Sequence, residues 1–444
     1  MSNQCVDKDR NGSLLIPYEW PGSYFIGEEE LDAVATVLRA RSPFRFYGHN
    51  LQGYCECLEK TYCQRLQRKY ALAVNSGTAA LSLAMNALGV GPGDEVLLPG
   101  YLWVSCLAAI VRAGAIPRLV DVDDTFCMDP CDLERKISSH SRAVLLVHMS
   151  GAPGAVDEIA AICRAHELSL IEDCAQANGA SYYGRPVGSF GDLAIFSFQL
   201  NKNITAGEGG LVVCDDEQLY RRVWACHDLG YPRNAEGRLD TSDPALQLWG
   251  RGTRYSELLA AVICAQLKKL DEITAAMHKA KYALREKLAA NPGLAFRRVP
   301  DPKGDSGPFL LLVWKDRATC LKMVEKTRAA GILTGPLGIN NVPMTDWGLH
   351  IYYNNASLVE RRSVNAAGRP WTDPLNAFAA KYEYRKGTLP VLDDLIERTS
   401  LLSIPPVLSP ETINTISEEF LRATCEREEV ESPAPPLGAR IVGK

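Results

Sequence analysis

The chain has 444 residues, a formal net charge of −5, 46% hydrophobic and 23% charged residues. This is ordinary globular composition, in a chain long enough for two or more domains. No long basic run or basic–aromatic interleaving occurs, which argues against a nucleic-acid partner, and no apolar run approaches the ~18 residues that span a bilayer.

The first twenty residues include Asp7, Lys8, Asp9 and Arg10 and lack the apolar core of a signal peptide. The 14 cysteines are scattered from Cys5 to Cys425 with no CxxC pair. Many sit inside apolar runs, so we expect small hydrophobes in a reduced, cytoplasmic setting and no metal site.

From about residue 70 to 215, short apolar runs alternate with stretches of helical period. The expected strands are 71–74, 95–98, 117–122, 143–147, 168–171, 193–198 and 210–214. The expected helices between the earlier ones are 78–88, 104–113, 131–137 and 156–166. Strand then helix, repeated, predicts an α/β domain with a mostly parallel sheet covered by helices. The last two strands have no helix between them and predict a hairpin at the end of the sheet. Residues 257–290 read as one long helix. Beyond the Asn291-Pro292-Gly293 break, a strand at 309–314 and helices at 319–330 and 411–425 predict a smaller C-terminal α+β domain. Residues 335–385 read as long ordered loops. The expected division is an N-terminal arm (1–25), a large domain (26–290), a small domain (291–426) and a flexible tail (427–444).

The chemistry concentrates at the ends of the expected strands, where open α/β sheets bind ligands. Lys202 follows the apolar run 193–198 and precedes the small-residue stretch Thr205–Gly210. A lysine held between two buried strands is desolvated and its pKa falls, which makes the amine a nucleophile toward carbonyls. The bland alternative is a lysine snorkelling to water. The cofactor most often held by such a lysine is pyridoxal phosphate. It also needs phosphate donors, a carboxylate for its ring nitrogen and packing for its ring face.

Asn75-Ser76-Gly77-Thr78 opens a helix after the first strand. It is a phosphate site or an ordinary N-cap, about equally. Trp103 follows the second strand and can stack on the ring or sit in the core. Asp173 directly follows a buried run, where an acid is costly unless paired. It can pair with the ring nitrogen or cap the next segment. Gln176 faces the ring hydroxyl or solvent. Ser197, five residues before Lys202, reaches the phosphate or is a plain strand serine.

Taken together these segments resemble the DegT/DnrJ/StrS sugar aminotransferases, which are fold-type-I pyridoxal-phosphate enzymes. The matching text is Asn75-Ser76-Gly77-Thr78-Ala79-Ala80-Leu81, Gly91-Pro92-Gly93-Asp94-Glu95-Val96, Val120-Asp121-Val122-Asp123, Val147-His148 before Gly151, Ile171-Glu172-Asp173-Cys174-Ala175-Gln176, Phe196-Ser197-Phe198 with Lys202-Asn203 and Gly207-Glu208-Gly209-Gly210, and Ser256-Glu257-Leu258. The resemblance covers roughly residues 25–275 well and 290–426 loosely. It implies that Lys202 carries the cofactor as a Schiff base and shuttles the substrate's α-proton. Asp173 would pair with the ring nitrogen, and Trp103 would stack on the ring. Gly77, Thr78 and Ser197 would hold the phosphate, and Gln176 would sit near the ring hydroxyl. It also implies a homodimer with shared active sites.

Two departures stand out. Gln199 replaces the family's histidine in Phe-Ser-Phe-His, and Gly252-Thr253-Arg254-Tyr255 stands where the family has Asn-Tyr-Arg-Met. Arg254 is retained and is a candidate for substrate binding. The family's dehydratase branch has histidine in place of the lysine, so Lys202 argues against it. The expected function is transfer of an amino group from glutamate or glutamine to a ketone or aldehyde of a sugar, cyclitol or related intermediate. The alternatives are a pyridoxal-phosphate elimination, substitution or cyclisation enzyme and, last, a binding protein without turnover. Arg45, His350 and Tyr352 are weaker substrate candidates.

Overall fold

The computed structural model describes residue 17 and residues 19–332 and 341–425. The expected tail at 427–444, most of the arm at 1–25 and residues 335–340 of the loop stretch lie outside the described residues.

The first half contains α1 (Glu28–Arg39), α2 (Tyr54–Leu66), β1 (Tyr70–Val74), α3 (Gly77–Ala87), β2 (Glu95–Pro99), α4 (Val104–Ala113), β3 (Ile116–Val120), α5 (Pro130–Lys136), β4 (Ser141–Val147), α6 (Val156–Ala165) and β5 (Ser169–Asp173). A short ribbon follows, β6 (Ser181–Tyr182) with β7 (Arg185–Pro186), then β8 (Leu193–Ser197), β9 (Gly210–Cys214) and α7 (Glu217–His227). The remainder is α8 (Glu257–Leu267), α9 (Leu270–Leu288), β10 (Ala295–Phe296), β11 (Phe309–Val313), α10 (Arg317–Ala329), β12 (Asn341–Pro343), α11 (Ala356–Val359), α12 (Pro390–Glu397), β13 (Thr399–Ser403) and α13 (Pro410–Cys425).

Seven strands form one sheet in the order β1-β9-β8-β5-β4-β2-β3. The neighbours among β3, β2, β4, β5 and β8 are parallel. Their residues are almost all buried because helices cover both faces, which is why each strand reads as an unbroken apolar run. The expected hairpin is present: β8 pairs antiparallel with β9, Leu193 opposite Cys214 and Ser197 opposite Gly210. β9 then pairs antiparallel with β1. β1 therefore points the same way as β8, and the segments after β1, β2, β4, β5 and β8 all emerge at one edge. A second, antiparallel sheet has the order β10-β11-β13-β12. Trp314 after β11 stacks on Phe420 of α13, with ring centroids 6.1 Å apart.

The structure corrects one element. The stretch expected as a single helix over 257–290 is two, α8 and α9. After Leu267 the backbone tightens, with Lys268 N–H donating to Ala265 O and Lys269 N–H to Gln266 O. Such short-range bonds end a helix. Lys269 is drawn out of register because its Nζ donates to Glu30 at 2.8 Å and to the Phe25 carbonyl at 2.8 Å. α9 restarts with Asp271 and Glu272 in its first turn, where the helix dipole favours acids. Helices α1, α2 and α7 are additions to the elements expected from the sequence.

The loop-rich stretch after β12 is a chain of short 3-10 turns laid over the large sheet. Tyr352 N–H donates to Gly100 O at 3.0 Å, and Leu102 N–H to His350 O at 2.9 Å. Tyr382 Oη donates to Glu95 at 2.6 Å, and Tyr384 Oη to Pro117 O at 2.9 Å. Asp121, at the end of β3, accepts the N–H groups of Val391 and Leu392 at 3.0 and 2.9 Å and so caps α12 from across the fold. These contacts bring residues 347–350 to the edge where the large-sheet strands end.

Candidate active site

A cavity of about 400 Å³ opens at that edge. It is lined by Ser76, Gly77 and Thr78 after β1, Trp103 and Ser105 after β2, Met149 after β4, and Asp173 and Gln176 around the end of β5. Ser197, Gln199 and Lys202 line it around and after the end of β8. Seven of the eight principal site candidates from the sequence, all but Arg254, are among its lining, as is His350 of the three weaker ones.

Lys202 sits in the loop between β8 and β9, which doubles back on itself. Phe198 N–H donates to Gly209 O at 2.9 Å, and Lys202 N–H donates to Gln199 O at 2.9 Å. Asn203 Nδ2 donates to Asn178 O at 2.7 Å. Gly209 has φ +150° and lies against the Tyr255 ring, so the turn there requires a residue without a Cβ. Burial lowers the Lys202 pKa, and the negative charge of Asp173 opposes this. A lysine in this state has a share of neutral amine that a solvated one lacks.

Asp173 ends β5 and is buried, 4% exposed. Its Oδ1 accepts the Ala175 N–H at 2.9 Å, and its Oδ2 accepts the Cys106 thiol at 3.2 Å. Burial raises its pKa, and those two donors and the Lys202 amine pull it back. A buried carboxylate without a full cation partner suits a cationic ring nitrogen.

The N-terminus of α3 is capped by Ser76 Oγ, which accepts the Ala79 N–H at 3.1 Å. The N–H groups of Gly77 and Thr78 lie in the first turn, where no intrahelical carbonyl can take them. A Cβ on Gly77 would stand 2.9 Å from Ser197 Cβ. The helix start and the end of β8 thus close on each other around a cradle of two amides and the Ser197 hydroxyl. Thr78 Oγ1 and Ser105 Oγ lie 2.8 Å apart on its rim. Amides at a helix start with adjoining hydroxyls make a phosphate site.

Gln176 is oriented by the Ser150 N–H, which donates to its Oε1 at 3.0 Å. This leaves its Nε2 as the donor. Trp103 is 43% exposed, and its ring lies 4.7 Å from His350, which stacks on Trp347 at 4.4 Å. His350 Nδ1 lies 2.9 Å from the Trp347 carbonyl. Burial and the nearby Lys202 amine push the His350 imidazole down to about 4, so it is neutral.

Arg254 is not brought to the cavity. It pairs with Asp228 and lies over the Phe44 ring at 5.9 Å. Arg45 is buried against Glu59 at 2.8 Å, and the Tyr352 hydroxyl donates to Asp393 at 3.0 Å, so both serve the fold. Glu172, beside Asp173, is fully buried. It accepts the N–H groups of Gly188, Phe190 and Gly191, and His148 Nε2 at 3.0 Å. With Cys174 this is a possible metal-ligand cluster among the described residues, but Glu172 already spends its lone pairs on the 188–191 turn.

Sequence reading singled out neither Ser105 nor Trp347 nor Glu19, which also line the cavity. Ser105 follows Trp103 by two residues and was within reach of the strand-end argument. Trp347 and Glu19 arrive from distant parts of the chain and carry no local signal.

The residues fit pyridoxal phosphate: an amine, a buried carboxylate, an anion cradle and aromatic surface meet in one cavity. The family model for the DegT/DnrJ/EryC1/StrS aminotransferase family matches residues 25–367. A putative L-glutamine:3-amino-2,3-dideoxy-scyllo-inosose aminotransferase of Micromonospora echinospora is 35% identical over 274 residues, 61% of this chain and 62% of that relative. The matched region thus spans less than two thirds of that relative's length. The crystal structure of 3-amino-5-hydroxybenzoic acid synthase superposes with a TM-score of 0.76 at 25% identity, covering 93% of this chain and 99% of the other. That of an aminotransferase from Psychrobacter cryohalolentis gives 0.74 at 25% identity, covering 91% and 98%.

Proposed function

The chain belongs to the DegT/DnrJ/EryC1/StrS aminotransferase family, and on that premise we propose that it is a pyridoxal-phosphate aminotransferase. It takes an amino group from glutamate or glutamine and gives it to a ketone or aldehyde of a sugar, cyclitol or related biosynthetic intermediate. The carrying observation is the convergence of the desolvated Lys202 amine and the buried Asp173 carboxyl in one cavity with the α3 cradle. Bound there, pyridoxal phosphate supplies the aldehyde that takes up the amino group and a ring that accepts electrons from the substrate's α-carbon.

The protein's own groups do the rest. The Gly77 and Thr78 amides and the Thr78, Ser105 and Ser197 hydroxyls bind the phosphate. The Asp173 carboxyl group would hold a proton on the ring nitrogen, Trp103 would cover the ring face and Gln176 Nε2 would donate to the ring hydroxyl. Lys202 Nζ attaches the cofactor, then takes the α-proton from the donor and returns one to the acceptor carbon. Burial lowers its pKa, which favours the neutral amine that both tasks use.

We propose a homodimer. Trp249 is 94% exposed, and Leu229, Leu239 and Tyr47 are exposed on the neighbouring loops, an unusual amount of open apolar surface beside Arg254. No described helix is long and apolar enough to cross a membrane, and the described cysteines are all unpaired, which supports a reducing, cytoplasmic setting.

The test is the visible spectrum of the purified protein supplied with the cofactor. Glutamine or glutamate should convert the yellow form to the aminated one, with the matching keto acid appearing in equal amount. A protein that stays colourless after cofactor is added refutes the proposal. Light scattering should give twice the chain mass.

A further inference from the structure

The cavity has a wall that the cofactor does not use. Glu19 lines it together with Lys202 and Gln199. Its segment is pinned there, because Gly22 N–H donates to the Lys202 carbonyl at 3.3 Å. From the other end of the chain, Ser403 Oγ on β13 donates to Glu19 Oε2 at 2.6 Å. This fixes the carboxyl group. Among the described residues, Oε1 has no hydrogen-bond partner. Burial pushes the Glu19 carboxyl up to about 7, against the Ser403 bond that holds it down. A carboxyl oxygen held in place at the cavity wall can accept a hydrogen bond from a ligand that enters it.

The charges of the cavity narrow the ligand. Asp173 and Lys202 are engaged by the cofactor, and the His350 imidazole is neutral. The acids left in the wall are Glu19 and Glu208, and among the described lining residues Lys202 is the one lysine or arginine. Hydroxyl groups are donors and suit the same wall.

We propose that Glu19 is a specificity residue of the acceptor half-reaction: its Oε1 accepts a hydroxyl of a polyhydroxylated ketone. This inference rests on the aminotransferase reading above.

The experiment separates the two half-reactions. Holoenzyme of the wild type, Glu19→Gln and Glu19→Asp is first aminated with glutamine or glutamate. After the donor is removed, return of the yellow form is followed with myo-inosose, a neutral polyhydroxy ketone. The wild type should return with the inosose. Glu19→Gln should raise the inosose KM about tenfold, with kcat and the donor half-reaction within about twofold, and Glu19→Asp should recover part of the loss. An unchanged inosose KM in Glu19→Gln, or no return with the inosose, overturns the proposal. A wild type that cannot be aminated refutes the aminotransferase reading itself, and this inference falls with it.

Discussion

Cys106 donates its thiol hydrogen to Asp173 Oδ2 over 3.2 Å, so the carboxylate assigned to the ring nitrogen is braced by a side chain from α4. The thiol is fully buried, and burial together with the Asp173 charge pushes its pKa well above the ordinary value. It therefore stays protonated and remains a donor. Replacing Cys106 with alanine removes a donor that lowers the Asp173 pKa. Cys106→Ala should weaken cofactor binding severalfold and leave the fold intact. Asp173→Asn removes the charge itself and should lower kcat by about 10²-fold or more. Equilibrium titration of the cofactor, with kcat measured at saturation, separates the two effects. An Asp173→Asn enzyme with wild-type kcat would contradict the role given to this carboxylate.

Lys202 has a different signature. Lys202→Ala deletes the amine and leaves the cradle of Gly77, Thr78 and Ser197 in place. The variant should still bind pyridoxal phosphate, but borohydride should no longer fix it to the protein in an intact-mass spectrum. Turnover should fall by about 10²- to 10⁴-fold, the range of a lost general acid–base group. A borohydride-stable adduct in the variant would move the covalent site to another lysine.

How much of this was legible before folding differs between parts of the molecule. Strands β2, β4, β5 and β8 announced themselves because each is buried on both faces and therefore apolar throughout. Their order in the sheet did not, since the placing of β9 between β1 and β8 depends on pairing and not on local pattern. The lining of the cavity was legible where one residue closes one strand, as Asp173 closes β5. It was not legible where residues arrive from elsewhere: Trp347 reaches the cavity through the backbone bonds between 100–102 and 350–352, and Glu19 through Ser403. Arg254, whose residue type suggested a substrate contact, lies outside the lining of this cavity and pairs with Asp228, 26 residues before it.

Gly77 tests the anion cradle by volume. Its position does not demand a left-handed backbone, so the cost of a side chain is spatial. The added Cβ of Gly77→Ala would lie 2.9 Å from Ser197 Cβ and 3.2 Å from its Oγ, closer than real contacts allow. β8 is buried and cannot yield freely, so the helix start must move outward and the amides lose their aim. Cofactor affinity should fall about tenfold or more, with a smaller change in kcat once the site is saturated. Inorganic phosphate should compete with pyridoxal phosphate less well in the variant than in the wild type. Unchanged affinity for both would place the phosphate elsewhere.

His227 supplies a pH dependence that is independent of the chemistry. It is fully buried at the end of α7, its ring packed against Phe46 and Trp224 with centroids 6.0 and 5.3 Å away. Burial, with Arg45 nearby, pushes it from the ordinary 6.5 down to about 3, although the Trp224 carbonyl and Asp228 favour the charged form and Arg254 opposes it. Between those values the unfolded chain holds a proton on this ring and the native chain does not. Stability therefore falls as pH drops through 6.5 toward about 3, by at most about 1.4 kcal/mol per pH unit for one proton. His227→Phe keeps an aromatic ring and deletes the titration. Its Nε2 position already lacks a partner, so the substitution sacrifices one hydrogen bond, that from Nδ1 to Trp224 O. The variant should be modestly less stable than the wild type at neutral pH, and its denaturation midpoint should fall less steeply as the solution is acidified. Parallel pH profiles for the two proteins would show that His227 is protonated in the native state and that the buried ring is not the source of the acid sensitivity.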